Sequence, residues 1–146
     1  MNRMTRLLVS AALLWSSFTG LAAAQDIVEP SDMVRGGMQA IQMIDQGKAG
    51  ELWDGATPAT RKRVTRADFT GQVAKSRASL GAPQQRTWVA VNRQVVADVD
   101  ADTAGQYVSV EYETRFANKS EGTQRELVSF HLDSDRTWRF SGYVLR

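Results

Sequence analysis

The sequence predicts an α+β domain, with three N-terminal helices packed on a curved four-stranded antiparallel sheet. Three observations predict it. Between Gly105 and Lys119, Val108, Val110, Tyr112, Thr114 and Phe116 share one face, and Ser109, Glu111, Glu113 and Arg115 share the other. Such alternation marks a strand buried on one side. Before Pro83 the apolar residues recur at helical spacing, and after it at every second position. The four alternating runs are joined by short polar segments, which makes consecutive strands antiparallel neighbours.

The chain of 146 residues is one domain by length, preceded by a targeting segment. Arg3 and Arg6 lead into the apolar run Leu7 to Leu21, followed by Ala22-Ala23-Ala24. This is the pattern of a secretory signal peptide cleaved after Ala24, so residues 1–24 are assigned to export and 25–146 to one α+β domain. A periplasmic location follows as an expectation. Of the 18 basic residues, two leave with the signal, and the 16 that remain balance 16 acidic ones. A neutral mature chain gives no electrostatic case for nucleic acid, and no later apolar run is long enough to anchor it in a membrane. Cysteine is absent, which excludes disulfides, thiol chemistry and a lipoprotein anchor.

The elements follow in order. Ser31 is the expected N-cap of a first helix, with Val34, Met38, Ile41 and Ile44 on its apolar stripe. Gly36-Gly37 on that helix implies close approach of another backbone, and Gly47 suits a left-handed cap. Lys48 to Ala56 is a short second helix ended by Thr57-Pro58, and Ala59 to Val64 a helical turn. Thr65 with Asp68 caps a third helix running to about Leu80, with Phe69, Val73 and Leu80 inward. Arg86 to Ala97 is the first strand, with Val89, Val91 and Val95 on one face and a bulge or edge at Arg93. Asp98 to Gly105 is an acidic turn, and Asn118 to Gly122 a second turn. Gln124 to Leu132 carries Val128, Phe130 and Leu132 inward. Asp133 to Arg136 turns the chain, and Trp138 to Leu145 closes the sheet with Trp138, Phe140 and Val144 inward. This element order is that of the nuclear transport factor 2-like and cystatin-like cone, an analogy of fold alone.

Several strings together resemble a known family. They are Trp53 with Ala56-Thr57-Pro58 and Arg61, Phe69, Arg77 with Leu80-Gly81, Phe116-Ala117-Asn118-Lys119, and Trp138-Arg139 with Gly142-Tyr143 and Arg146. The family is the bacterial domain of unknown function 4019, and the resemblance spans nearly all of the mature chain. It implies a small exported protein of Gram-negative bacteria and supplies no reaction. Phe69 stands where the family commonly has tryptophan.

No constellation of catalytic or metal-ligating groups emerges. His131, the single histidine, falls by parity on the polar outer face with Glu111, Glu113, Arg139 and Tyr143, and is expected to be solvated. Glu111 and Glu113 are expected to pair with Arg125 or Arg139. Asp98, Asp100 and Asp102 lack the glycine and distal glutamate offsets of a calcium loop. The Arg61-Lys62-Arg63 and Arg66 cluster has no interleaved aromatics and is expected to be a solvated face, with Arg61 pairing to Asp54 or Glu51. The concave face is expected to lack converging polar groups.

The leading functional expectation is therefore a non-enzymatic binding or accessory module of the cell envelope, without a cofactor. Its partner is a protein, or a second copy held through Tyr107, Leu127, Tyr143 and Leu145 on the outer face. A second expectation is a small apolar ligand held by Trp53, Tyr112 and Trp138, with Arg61 at the mouth. A third is an isomerase- or hydrolase-like enzyme using Asp54 or His131.

Overall fold

In the computed structural model, residues 28–119 and 121–146 are described. The proposed signal, residues 1–24, lies outside them. Among the described residues, four helices precede the sheet: α1 (Pro30–Asp45), α2 (Ala49–Asp54), α3 (Pro58–Arg63) and α4 (Arg66–Arg77). The strands are β1 (Pro83–Val96), β2 (Gly105–Phe116), β3 (Gln124–Leu132) and β4 (Trp138–Leu145), antiparallel and in the spatial order β1-β2-β3-β4. The architecture is thus α+β, with the helices on one face of a sheet that does not close. The expected helical turn at Ala59 to Val64 is a fourth helix, because Pro58 at its first position is preset for helical φ.

Much of the core is where the periodicity of the sequence places it. Ile41 and Ile44 of α1, Leu52 of α2, and Phe69 and Val73 of α4 pack on Val110, Tyr112, Val128 and Phe140 of the sheet. Phe69 meets Phe140 edge-on at 5.7 Å between ring centroids. The cap of α1 is Glu29 rather than Ser31, since Pro30 at the first position moves the start one residue earlier. Thr65 caps α4 as expected, its hydroxyl accepting from the Asp68 amide at 3.1 Å. Gly47 and Gly81 both take positive φ, at 74° and 75°. The group close to Gly37 is a side chain and not a backbone: a Cβ there would stand 2.5 Å from the Tyr112 hydroxyl, which donates to the Val34 carbonyl.

Two bulges change which residues face the core. In β1 the register shifts between Trp88 and Ala90, so the bulge is at Val89, while Arg93 sits on an edge strand, the other alternative expected there. Trp88 then lies opposite Tyr112 but is 51% exposed, because β1 is an edge strand. In β4, Ser129 pairs with Gly142 and Phe130 with Phe140, leaving Ser141 extra. Beyond Ser141 the parity inverts. Tyr143, expected outside, turns inward opposite Val128, and Val144, expected inside, is 50% exposed. Leu145, opposite buried Glu126, also leaves the outer face. The outer patch of Tyr107, Leu127, Tyr143 and Leu145 therefore loses its two β4 members.

Candidate functional site

The helix-covered face of the sheet carries converging polar groups, against expectation. Glu126 of β3 has no exposed surface. It accepts from Arg86 Nε at 2.8 Å, Arg77 Nη2 at 3.2 Å, the Tyr143 hydroxyl at 2.6 Å and the Thr114 hydroxyl at 2.5 Å. Asp45, at the end of α1, bonds both arginines, at 2.5 Å to Arg77 and 2.9 Å to Arg86. The four charges sum to zero and leave no buried ion unpaired. Burial acts against the Arg86 cation, but its bonds to Asp45 and the charge of Glu126 outweigh it and hold the group above its ordinary value. Burial, reinforced by Glu126, pushes the Tyr143 phenol well above its usual value. Arg77 also lies 5.0 Å over the Phe116 ring. Parity could have found Glu126, which alternates with Val128 and Phe130 on the face already read as buried.

Some of the strings behind the family resemblance, those with Arg77, Leu80, Phe116 to Asn118 and Tyr143, meet around this network. The Asn118 amide donates to the Leu80 carbonyl at 2.9 Å, and the Ala117 amide to Ala82 at 2.9 Å. Arg77 Nε reaches the Tyr143 hydroxyl at 3.2 Å.

His131 is not solvated; it is 3% exposed. Its parity is the expected one, beside Tyr107 at 4.6 Å between rings, but the loops at that end of the sheet cover it. Nδ1 lies 2.7 Å from Asp133 Oδ1, and Nε2 lies 2.9 Å from the Ala104 carbonyl. Asp133 also accepts from the Thr57 hydroxyl at 2.5 Å and from Arg139 at 2.9 Å. Burial raises the Asp133 carboxyl, but the bonds from Thr57, His131 and Arg139 outweigh it and hold the group below its usual value of 3.8. The Thr57 hydroxyl lies 3.4 Å from His131 Nδ1 but donates to Asp133 at 2.5 Å, and the Ala104 carbonyl fixes the far side of the ring. The cluster ties the turn before β2 and the segment before α3 to the end of β3.

The residues singled out for a pocket separate. Tyr112 is fully buried, and burial pushes its phenol up to about 12. Trp53 is half-buried, its indole N–H donating to the Val64 carbonyl at 2.9 Å. Trp138 is half-buried at the far end of β4, and Arg61 is exposed on α3. Asp54 pairs with Arg66 at 2.9 Å rather than with Arg61. On the outer face, Arg125 bridges Glu111 at 3.0 Å and Glu113 at 2.9 Å as expected, whereas Arg139 turns to Asp133 and Asp135.

An open groove runs between α4 and the edge of β4. One part, of about 200 Å³, lies between Val73 and Ser76 and residues Tyr143 to Leu145. The other, of about 320 Å³, lies between Arg63, Val64 and Asp68 and residues Ser141 to Tyr143. Both parts share Phe69, Gln72 and Tyr143, so they are continuous. None of Trp53, Arg61, Tyr112 and Trp138 lines either part.

The backbone at this edge is unequal along its length. The Phe140 carbonyl accepts from the Thr57 amide at 2.9 Å, and the Ser141 carbonyl from the Thr60 hydroxyl at 2.8 Å. Past that point no helix among the described residues bonds the edge groups in this way. Arg125 and Arg146 exchange both backbone bonds, at 2.7 and 2.9 Å. Antiparallel alternation then turns Val144 and Gly142 toward β3, and the N–H and C=O of Tyr143 and Leu145 away from it, into the groove. Two donors and two acceptors in strand spacing, over an apolar floor, are what an added strand needs.

No curated protein matches the chain. The family model described as a protein of unknown function (DUF4019) matches residues 36–143, from the middle of α1 to Tyr143. The chain belongs to the DUF4019 family of proteins of unknown function.

Proposed function

We propose that this protein is an exported, non-enzymatic binding module of the cell envelope that takes up an extended peptide as a fifth strand along β4. The observation that carries the reading is the open edge of Tyr143 and Leu145 beside a groove with apolar side chains in its floor and polar ones on its walls. Main-chain bonds supply sequence-tolerant affinity, and the floor of Phe69, Val73 and Val64 selects apolar side chains at alternate positions. The buried network beneath supports this role by holding Tyr143, and with it β4, at a fixed distance from α4 through Arg77. In this reading the sheet and helices form the cone of the nuclear transport factor 2-like and cystatin-like folds, with the groove along its open side. Export rests on residues 1–24, and the mature chain then begins at Gln25 in the periplasm.

Peptides enriched from a displayed random hexapeptide library should shift the ¹⁵N amide signals of Tyr143, Leu145 and Gln72 most. Failure to enrich any peptide, or shifts confined to Ser109, Leu127 and Ser129 on the outer face, would overturn the groove.

A further inference from the structure

The groove is closed at one end and charged there. Because Thr57, just before α3, and Thr60 within it occupy the Phe140 and Ser141 carbonyls, an added strand has to stop beside Gly142. At that stop the groove is lined by Arg63, which is exposed and which no carboxylate among the described residues pairs. Of its basic neighbours, Lys62 bonds Asp102 and Arg66 bonds Asp54, and Arg61 lines neither part of the groove. Asp68 also lines this end, but it sits in the first turn of α4, where the helix's amide end offsets its charge. From these facts, and resting on the reading of the groove as a peptide site, we infer that the ligand is a chain end whose C-terminal carboxylate is held by Arg63.

Strand direction agrees with charge. A peptide whose C-terminus lies beside Gly142 enters from the Leu145 side, so it runs antiparallel to β4. Every neighbouring pair in the sheet already runs that way. A carboxylate offers Arg63 two acceptors in a plane, which matches the guanidinium fork; a chain that continued past the stop would meet α3 instead. The open edge covers about four residues, so the contact is small and the terminal charge supplies a large share of its discrimination.

The test uses hexapeptides selected with free C-termini and then remade as C-terminal amides, with binding read by fluorescence anisotropy. Amidation should weaken binding to the wild type by about tenfold, and in Arg63→Gln acid and amide should bind within about twofold of each other. Equal binding of acid and amide to the wild type overturns the inference, as does an acid preference that persists in Arg63→Gln. Two further variants test the groove itself. Leu145→Pro removes an outward N–H without touching the β3 ladder, and Gln72→Trp fills the groove from the exposed face of α4. If both acid and amide lose binding in these variants but bind the wild type alike, the groove stands and the carboxylate inference falls. If neither variant weakens binding while its circular dichroism stays native, the groove reading falls, and the inference falls with it.

Discussion

Glu126 is the residue whose loss should be felt most. It is fully buried against two arginines, a tyrosine and a threonine, so a neutral isostere leaves Arg77 and Arg86 sharing one carboxylate out of water. Removing one member of a buried ion network costs about 3–5 kcal/mol, because the stranded charge keeps its desolvation penalty. Glu126→Gln should therefore lower the unfolding free energy in urea by about 3 kcal/mol, and a loss under about 1 kcal/mol would mean water already reaches the network. Asp133 makes a different prediction, in pH. Its folded pKa lies below the usual 3.8, so its bonds to Thr57, His131 and Arg139 stabilise the fold above that value. That stability is lost as pH falls from the unfolded value through the folded one. The Tm gap between wild type and Asp133→Asn should be widest near neutrality and close below about pH 4. A gap that stays constant down to about pH 2 would show that Asp133 is not held as its bonds indicate. Asp135, held at about 2 by Arg139, is exposed and should contribute little to that curve.

Among the elements, α1 offers a matched pair of substitutions one residue apart. A Cβ on Gly36 would meet Phe130 at 3.6 Å, an ordinary contact, whereas one on Gly37 would stand 2.5 Å from the buried Tyr112 hydroxyl. Gly36→Ala should stabilise the protein by up to about 1 kcal/mol through helix propensity. Gly37→Ala should destabilise it by about 1–3 kcal/mol, since overpacking against a fully buried ring outweighs the same propensity gain. Thermal melts of the two variants should move in opposite directions; movement in the same direction would mean Tyr112 can yield. What was legible in the sequence divides along similar lines. The core stripe of α1, the Thr65 cap and the inward face of β2 follow from period and cap chemistry, and all three are observed. Tyr143 was not legible from alternation alone, because a bulge at Ser141 inverts parity; the one local sign of it is Gly142, since a glycine inside a strand often marks a bulge. His131 was placed on the correct face, but parity says nothing of loops folding over the end of a sheet. The groove escaped for a related reason. It depends on which edge groups of β4 the helices leave uncovered, a relation between Thr57, Thr60 and a strand some eighty residues away.

Across the whole molecule, the Asp45–Arg77–Arg86–Glu126 network joins α1, α4, β1 and β3, and Tyr143 brings β4 into it. It pins only one half of the β1–β2 hairpin. Arg86 holds the base, whereas residues Asn92 to Val95 toward the tip are exposed and pair with β2 alone. Val95 and Val99 at that end bury almost nothing, so the apolar burial that would resist opening is missing. Amides joining Asn92–Val96 to β2 should therefore exchange with solvent by local opening, on the order of a hundredfold faster than those joining β2 to β3, which open only with the whole protein. Asp45→Asn should then extend fast exchange from the tip toward Arg86, because the base loses the anion that both arginines share at α1. The floor of the groove, fixed through Tyr143 to Glu126, should stay in the slow class in the wild type, with the outward amides of Tyr143 and Leu145 exchanging quickly beside a protected Val144. Uniform protection along β1, or fast exchange throughout β4, would contradict this division. The second result would also mean that the edge is not held ready for a fifth strand before a peptide arrives.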